Sequence, residues 1–237
     1  MPEKFIALGC SLTAVVGWTR YFSQELKLDL VDLSEGSSSN LSQVIKLKNY
    51  LLSANMLDKL SNVVLLWQVT SPGRSTSIIE KSFGSKPYRN SHPFPGHQDV
   101  RDFFTYNLKL DKKEVIGLLS HNPYFDDPCM KLHSLDAQFE QVIFDIVLLS
   151  KLVKRTVIWY GWKDLDRKDR LRDINSFLAQ QNNITLLPME HSIVDWCRAN
   201  NLEFFDDGEH PKSKSSIQWG EQILLPVLQK ILPNFQD

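Results

Sequence analysis

Five short apolar runs, separated by stretches of helical spacing, constrain this chain more than any other feature. They fall at residues 5–8, 28–33, 63–69, 155–160 and 184–188. Most are continuous apolar stretches, not alternations of apolar and polar residues. A strand that is apolar on both sides is buried on both sides, which marks a parallel sheet covered by helices. The patterns between the runs supply those helices. Helical spacing predicts helices over residues 13–25, 39–54, 135–153, 171–180, 192–199 and 217–232, the last broken late by Pro226. In the first of these Trp18, Phe22 and Leu26 share one side; in the second Leu41, Ile45 and Leu52 share a stripe. The alternation predicts one α/β domain over residues 1–237: a three-layer sandwich with about five parallel strands. Right-handed crossovers put helices on both faces, and the strand order expected is 2-1-3-4-5.

Residues 71–130 break the repeat. They hold Pro72, Pro87, Pro93, Pro95, Pro123 and Pro128, and aromatics from Phe83 to Phe125. A structureless loop this long is unusual inside a compact domain. The segment is therefore expected to be an insertion with a short helix or two, lying over the carboxyl ends of the strands, where open α/β sheets bind ligands. A lid and a docking surface for a protein partner both fit it.

Charge narrows the function classes. Lys and Arg number 27, Asp and Glu 28, for a formal charge of −1. No basic tail or patch calls for nucleic acid. No apolar run is long enough to span a bilayer. The three cysteines, Cys10, Cys129 and Cys197, form neither a CxxC pair nor a zinc-ligand spacing, and their odd number argues against a disulfide framework. A reducing, cytoplasmic setting follows as the expectation. The apolar stretch before Gly9-Cys10 is shorter than the roughly seven to fifteen residues of an export signal core, and Glu3 and Lys4 give no clearly positive leader.

Two blocks near opposite ends carry chemistry. Gly9-Cys10-Ser11-Leu12-Thr13 stands where the first strand hands over to a helix. Such a corner exposes its side chain and aims the first free helix N–H groups at the same spot. A hydroxyl there can attack a carbonyl while the amides hold the oxyanion; it can also simply cap the helix. Near the other end lies Asp206-Asp207-Gly208-Glu209-His210-Pro211. Asp207 and His210 can project from one tight turn, the imidazole taking a proton from Ser11 while the carboxylate holds its second nitrogen. A surface turn or a cap is the plainer account of such a pair.

Together these blocks resemble the SGNH, or GDSL-like, hydrolase superfamily. Its Gly-Asp-Ser-Leu-type block after the first strand is matched by Gly9-Cys10-Ser11-Leu12, and its Asp-x-x-His block by Asp207 through His210, followed by Trp219-Gly220 and a last helix. The resemblance implies a flavodoxin-like sandwich with Ser11 as nucleophile, His210 as base and Asp207 as its orienter. It implies that Gly36, after the second strand, joins the Ser11 amide in the oxyanion hole; a flexible loop ending in a helix cap at Ser39 or Asn40 also accounts for that stretch. No metal or organic cofactor is called for. The family's third block, Gly-x-Asn-Asp, is absent: the chain reads Trp67-Gln68-Val69-Thr70-Ser71-Pro72-Gly73-Arg74. Gln68 or Asn40 could supply the missing amide. The family's Asp after the first Gly is Cys10 here, read as a small buried side chain behind the nucleophile, with a cysteine nucleophile as the alternative. The pattern is that of a divergent branch.

Arg74 could grip an anionic group of a substrate, or be solvated. Trp67 and Trp159 could wall the cleft and stack on a sugar ring or acyl group, or pack in the core. His92, His97 and Asp99 have a spacing that could serve a metal, though loop spacing of this kind predicts metals poorly and none is expected. The function expected is a serine-dependent ester hydrolase or acyltransferase, acting on a small-molecule or glycan ester. The alternative is a catalytically weak or inactive binding or assembly protein on the same scaffold. No Gly-rich phosphate loop supports nucleotide binding.

Overall fold

A computed structural model describes residues 4–14, 17–35, 40–70, 75–78, 88–91, 128–162 and 168–232. Its centre is a parallel sheet of five strands: β1 (Lys4–Leu8), β2 (Asp29–Asp32), β3 (Val63–Val69), β6 (Arg155–Tyr160) and β7 (Ile184–Leu186). They lie side by side in the order β2-β1-β3-β6-β7, which is the 2-1-3-4-5 order that the sequence predicts. β1 sits between its neighbours with Leu8 opposite Trp67 and Ala7 opposite Asp32.

The run Val-Val-Leu-Leu-Trp-Gln-Val of β3 is buried at every position, and alternation sends its side chains to two different layers. Leu65, Trp67 and Val69 join Ile6, Leu8, Ile158 and Tyr160 on one face. There they meet Val44, Leu47 and Leu51 of α3 (Asn40–Ser53) and Val142, Ile146 and Val147 of α4 (Pro128–Leu152). Leu178 of α5 (Lys168–Ala179) completes that layer. Val64 and Leu66 face the other way, with Phe5, Ala7, Val157 and Trp159. Against them pack α1 (Ser11–Ala14), α2 (Trp18–Gln24), α6 (Ile193–Ala199), α7 (Ser213–Trp219) and α8 (Leu225–Ile231). One rule accounts for this division. The step from β1 to β2 runs opposite to the later steps across the sheet. A single crossover hand therefore requires α1 and α2 on the face opposite α3, α4 and α5.

Trp18 knots the second layer. Its ring lies edge-on to Phe22, Trp159 and Trp219, with centroids 5.4, 5.5 and 6.2 Å away.

Several element boundaries differ from the sequence expectation, most of them by one to three residues, and α4 begins at Pro128, seven residues before the expected 135. The single helix expected over residues 13–25 is two, because Gly17 stands at φ +92° before α2, a conformation glycine adopts without strain. The last helix starts earlier, at Ser213, and widens into a π-type turn over Gly220–Leu224. Pro226 cannot donate to the carbonyl four residues back, and the chain relaxes ahead of it. The fifth strand ends at Leu186, two residues short. Within 71–130, β4 (Ser75–Ile78) and β5 (Tyr88–Ser91) pair antiparallel; the short helices expected there fall outside the described residues.

Candidate active site

The site begins where β1 ends. Cys10 follows the strand and Ser11 opens α1, so the corner stands at the carboxyl edge of the sheet. The Cys10 carbonyl accepts the N–H groups of Thr13 (2.9 Å) and Ala14 (3.0 Å). In a trans peptide the N–H points opposite to the C=O. The Ser11 N–H shares that peptide with the Cys10 carbonyl, so it is directed out of the helix start. The Glu35 N–H donates to the Gly9 carbonyl at 3.2 Å, which draws the loop after β2 against the same corner. Gly36, the next residue, lies outside the described residues.

The second half of the site comes from the turn between α6 and α7. Phe204 and Pro211 form an isolated antiparallel bridge, and the Phe205 N–H donates to the His210 carbonyl at 2.8 Å. Gly208 turns the chain at φ +66°, and a Cβ there would meet no neighbouring group within 4 Å. The guanidinium of Arg198, on α6, donates to the Gly208 carbonyl at 3.0 Å and lies 5.6 Å above the Phe204 ring.

The two halves meet. Ser11 Oγ is 2.7 Å from His210 Nε2 although 199 residues separate them. His210 Nδ1 is 2.7 Å from Asp207 Oδ2. Asp207 Oδ1 accepts the backbone N–H groups of Glu209 and His210, each at 2.9 Å. These two amides, with the His210 side chain, hold the Asp207 carboxyl down to about 2. A carboxylate that stays ionised accepts only, so neutral His210 carries its proton on Nδ1 and leaves Nε2 as the acceptor for the Ser11 hydroxyl. The imidazole is about a quarter exposed and the Asp207 side chain about half. The site therefore opens to solvent.

Other residues singled out by sequence lie elsewhere. Trp67 and Trp159 are each 1% exposed and belong to opposite layers of the core, so neither walls a cleft. The cause is strand alternation: each ring points from the sheet into a helix layer, and the Trp67 indole N–H donates to Gln43 Oε1. The two side-chain amides offered as alternatives for the missing oxyanion donor are both engaged below the surface. Asn40 accepts the Thr70 N–H at 2.8 Å and donates to the Thr70 carbonyl at 3.0 Å, clamping α3 to the end of β3. Gln68 is fully buried; its Oε1 accepts from Thr13 Oγ1 at 2.7 Å and from the Cys10 N–H at 3.3 Å. Cys10 is buried as well, with Sγ 3.3 Å from Gln68 Nε2. Arg74, His92, His97 and Asp99 lie outside the described residues. Among the described residues no group of His, Cys, Asp or Glu could hold a metal ion, and no helix is long and apolar enough to cross a membrane.

Sequence reasoning missed the Asn40–Thr70 clamp and the Arg198 contact to the histidine turn. It also missed the part Gln68 plays beneath the serine. A signal for the last was present: one glutamine in an otherwise apolar central strand must find partners once buried.

The solved structures to which the chain is similar include the following two. One is the psychrotrophic esterase EstA from Pseudoalteromonas sp., in a form inhibited by monoethylphosphonate. The identity is 12% and the TM-score 0.49, with 98% of this chain and 100% of that one covered. The other is a candidate SGNH hydrolase from Slackia heliotrinireducens, at 12% identity and TM-score 0.48, covering 94% of this chain and 100% of that one. No protein-family model and no curated protein matches the chain.

Proposed function

We propose that the protein is a serine-dependent ester hydrolase or acyltransferase of SGNH type. One observation carries this reading: Ser11, His210 and Asp207 form a continuous relay with two contacts of 2.7 Å at the carboxyl edge of a parallel sheet. Ser11 Oγ attacks the acyl carbon of the ester as its proton passes to His210 Nε2. Asp207 keeps the opposite nitrogen protonated and stabilises the imidazolium that forms. The Ser11 amide, directed out of the helix start, and the Gly36 amide hold the negative oxygen. The tetrahedral adduct collapses, His210 returns the proton to the leaving alkoxide, and an acyl-serine remains. Water or an acceptor hydroxyl then releases the acyl group by the same relay. The substrate is a small-molecule or glycan ester, and Arg74 is the residue proposed to grip an anionic part of it. The segment 71–130 is the place for a lid or a protein partner.

A second reading, a weak or inactive binding protein on this scaffold, is favoured by one fact: Asn40 and Gln68 are both committed to other partners. A missing oxyanion donor commonly costs about 10²–10³ in turnover. Hydrolysis of short-chain p-nitrophenyl esters separates the two. The hydrolase reading expects turnover that falls by at least about 10³ in Ser11→Ala. Equal turnover in both proteins refutes it.

A further inference from the structure

The side chain of Gln68, read from the sequence as a candidate oxyanion donor, lies beneath the serine corner, where the mechanism assigns it no part. Its Oε1 accepts from Thr13 Oγ1 (2.7 Å), from the Cys10 N–H (3.3 Å) and, more loosely, from Cys10 Sγ (3.6 Å). Its Nε2 donates to Cys10 Sγ at 3.3 Å. All of these atoms are buried. Two glycines make room for the carboxamide. A Cβ on Gly9 would stand 2.8 Å from Oε1, and one on Gly161, just past β6, would stand 2.5 Å from Nε2. The carboxamide is thus sandwiched between two strand ends that can approach it only without side chains.

We infer that Gln68 and Thr13 form a buried brace that fixes the direction of the Ser11 amide and hydroxyl, making Gln68 a positioning residue and not an oxyanion donor. The inference rests on the proposed serine chemistry. The geometry gives the reason. Two peptide planes flank the Cys10 Cα. The one before it is pinned through its N–H by Gln68 Oε1. The one after it is pinned through the Cys10 carbonyl by the Thr13 and Ala14 amides. That second plane carries the Ser11 N–H. Thr13 takes part twice, through its amide to Cys10 and its hydroxyl to Gln68. Rotation of the second plane would therefore strain the Thr13–Gln68 contact. A misdirected serine costs rate steeply, because catalysis depends on near-attack geometry.

Among the described residues the partners of Gln68 and Thr13 lie in the serine corner and not in the His210 turn, so the brace can be loosened without altering the proton relay. Thr13→Val keeps the shape and removes the donor; Thr13→Ser keeps the donor. Gln68→Met keeps the length and removes both polar ends. The readout is the second-order rate at which a fluorophosphonate modifies Ser11, followed by peptide mapping, alongside the thermal midpoint of each protein. Wild-type labelling at Ser11 tests the serine reading itself; its absence overturns that reading before the brace is tested. Given labelling, the brace predicts a fall of about tenfold or more for Thr13→Val and for Gln68→Met, as expected for a lost buried hydrogen bond felt at the transition state. Thr13→Ser should stay within about threefold of wild type. Folded Thr13→Val or Gln68→Met that labels at the wild-type rate overturns the brace. So does Thr13→Ser falling as far as Thr13→Val. If Thr13→Val fails to fold, the comparison of Gln68→Met with Thr13→Ser decides by the same limits.

Discussion

Gly9→Ala puts a methyl group into the tightest place beside the serine. The new Cβ would lie 2.2 Å from Thr13 Oγ1, 2.6 Å from Thr13 Cβ and 2.8 Å from Gln68 Oε1. Carbon atoms at rest stand about 3.5–4.0 Å apart, so Thr13 would have to retreat by about 1 Å. It is not free to do so. Thr13 is fully buried, its hydroxyl donates to Gln68 at 2.7 Å, and its amide donates to Cys10 at 2.9 Å. Overpacking of this kind costs about 1–3 kcal/mol. Parting Thr13 from Gln68 adds about 1 kcal/mol or more, at the lower end of the range because Gln68 Oε1 keeps the Cys10 amide. The expected loss is about 2–4 kcal/mol, a large share of the roughly 5–15 kcal/mol that holds a domain folded. Urea unfolding measures it as a lower midpoint at unchanged slope. A cycle with Thr13→Gly sharpens the test, since that change removes the two nearest atoms. Gly9→Ala should then cost less by about 1–3 kcal/mol in the Thr13→Gly background than in wild type. Additive losses, or a Gly9→Ala protein as stable as wild type, would refute the close approach on which this reasoning stands.

Two further outcomes follow from named contacts. Trp18→Ala empties the centre of the aromatic knot with Phe22, Trp159 and Trp219, and thermal unfolding should report a loss of about 3–5 kcal/mol. Asp207 sheds its proton near pH 2 in the folded chain against an ordinary value of 3.8, so the unfolded chain binds more protons between those values and stability rises with pH there. That contribution is complete above about pH 4, wanes on acidification and is gone below about pH 2, and solvent exposure keeps it small. Asp207→Asn should therefore flatten the pH dependence of the thermal midpoint over that window while lowering ester turnover by about 10⁴ near neutrality. A variant whose midpoint follows pH as wild type does, or which keeps full turnover, would contradict the assigned contacts.

The sheet was legible because burial on both faces leaves a mark that composition cannot hide. Val63 to Val69 reads as a central strand since only Gln68 interrupts it, and the spacing of the apolar runs leaves room for one helix at each crossover. The relay was legible for a different reason. Ser11 follows a strand directly, and Asp207 and His210 share a tight turn, so each half has a local signature. What stayed hidden depends on partners distant in sequence. Nothing around Asn40 says that its amide closes on Thr70, 30 residues away. Likewise the directions of Trp67 and Trp159 follow from which helix layer each strand face meets, which no local pattern encodes. Gly17 shows the opposite limit: helical spacing ran through it, and a single backbone angle divided the helix.

The central claim is that the hydroxyl of Ser11 is made nucleophilic by the imidazole it meets. Peptide mapping by mass spectrometry after fluorophosphonate treatment tests it most directly, on wild type and His210→Ala side by side. The account predicts an adduct on the peptide carrying Ser11 in wild type and almost none in His210→Ala at equal time and dose. An adduct on another residue, or equal modification of Ser11 in both proteins, would contradict it.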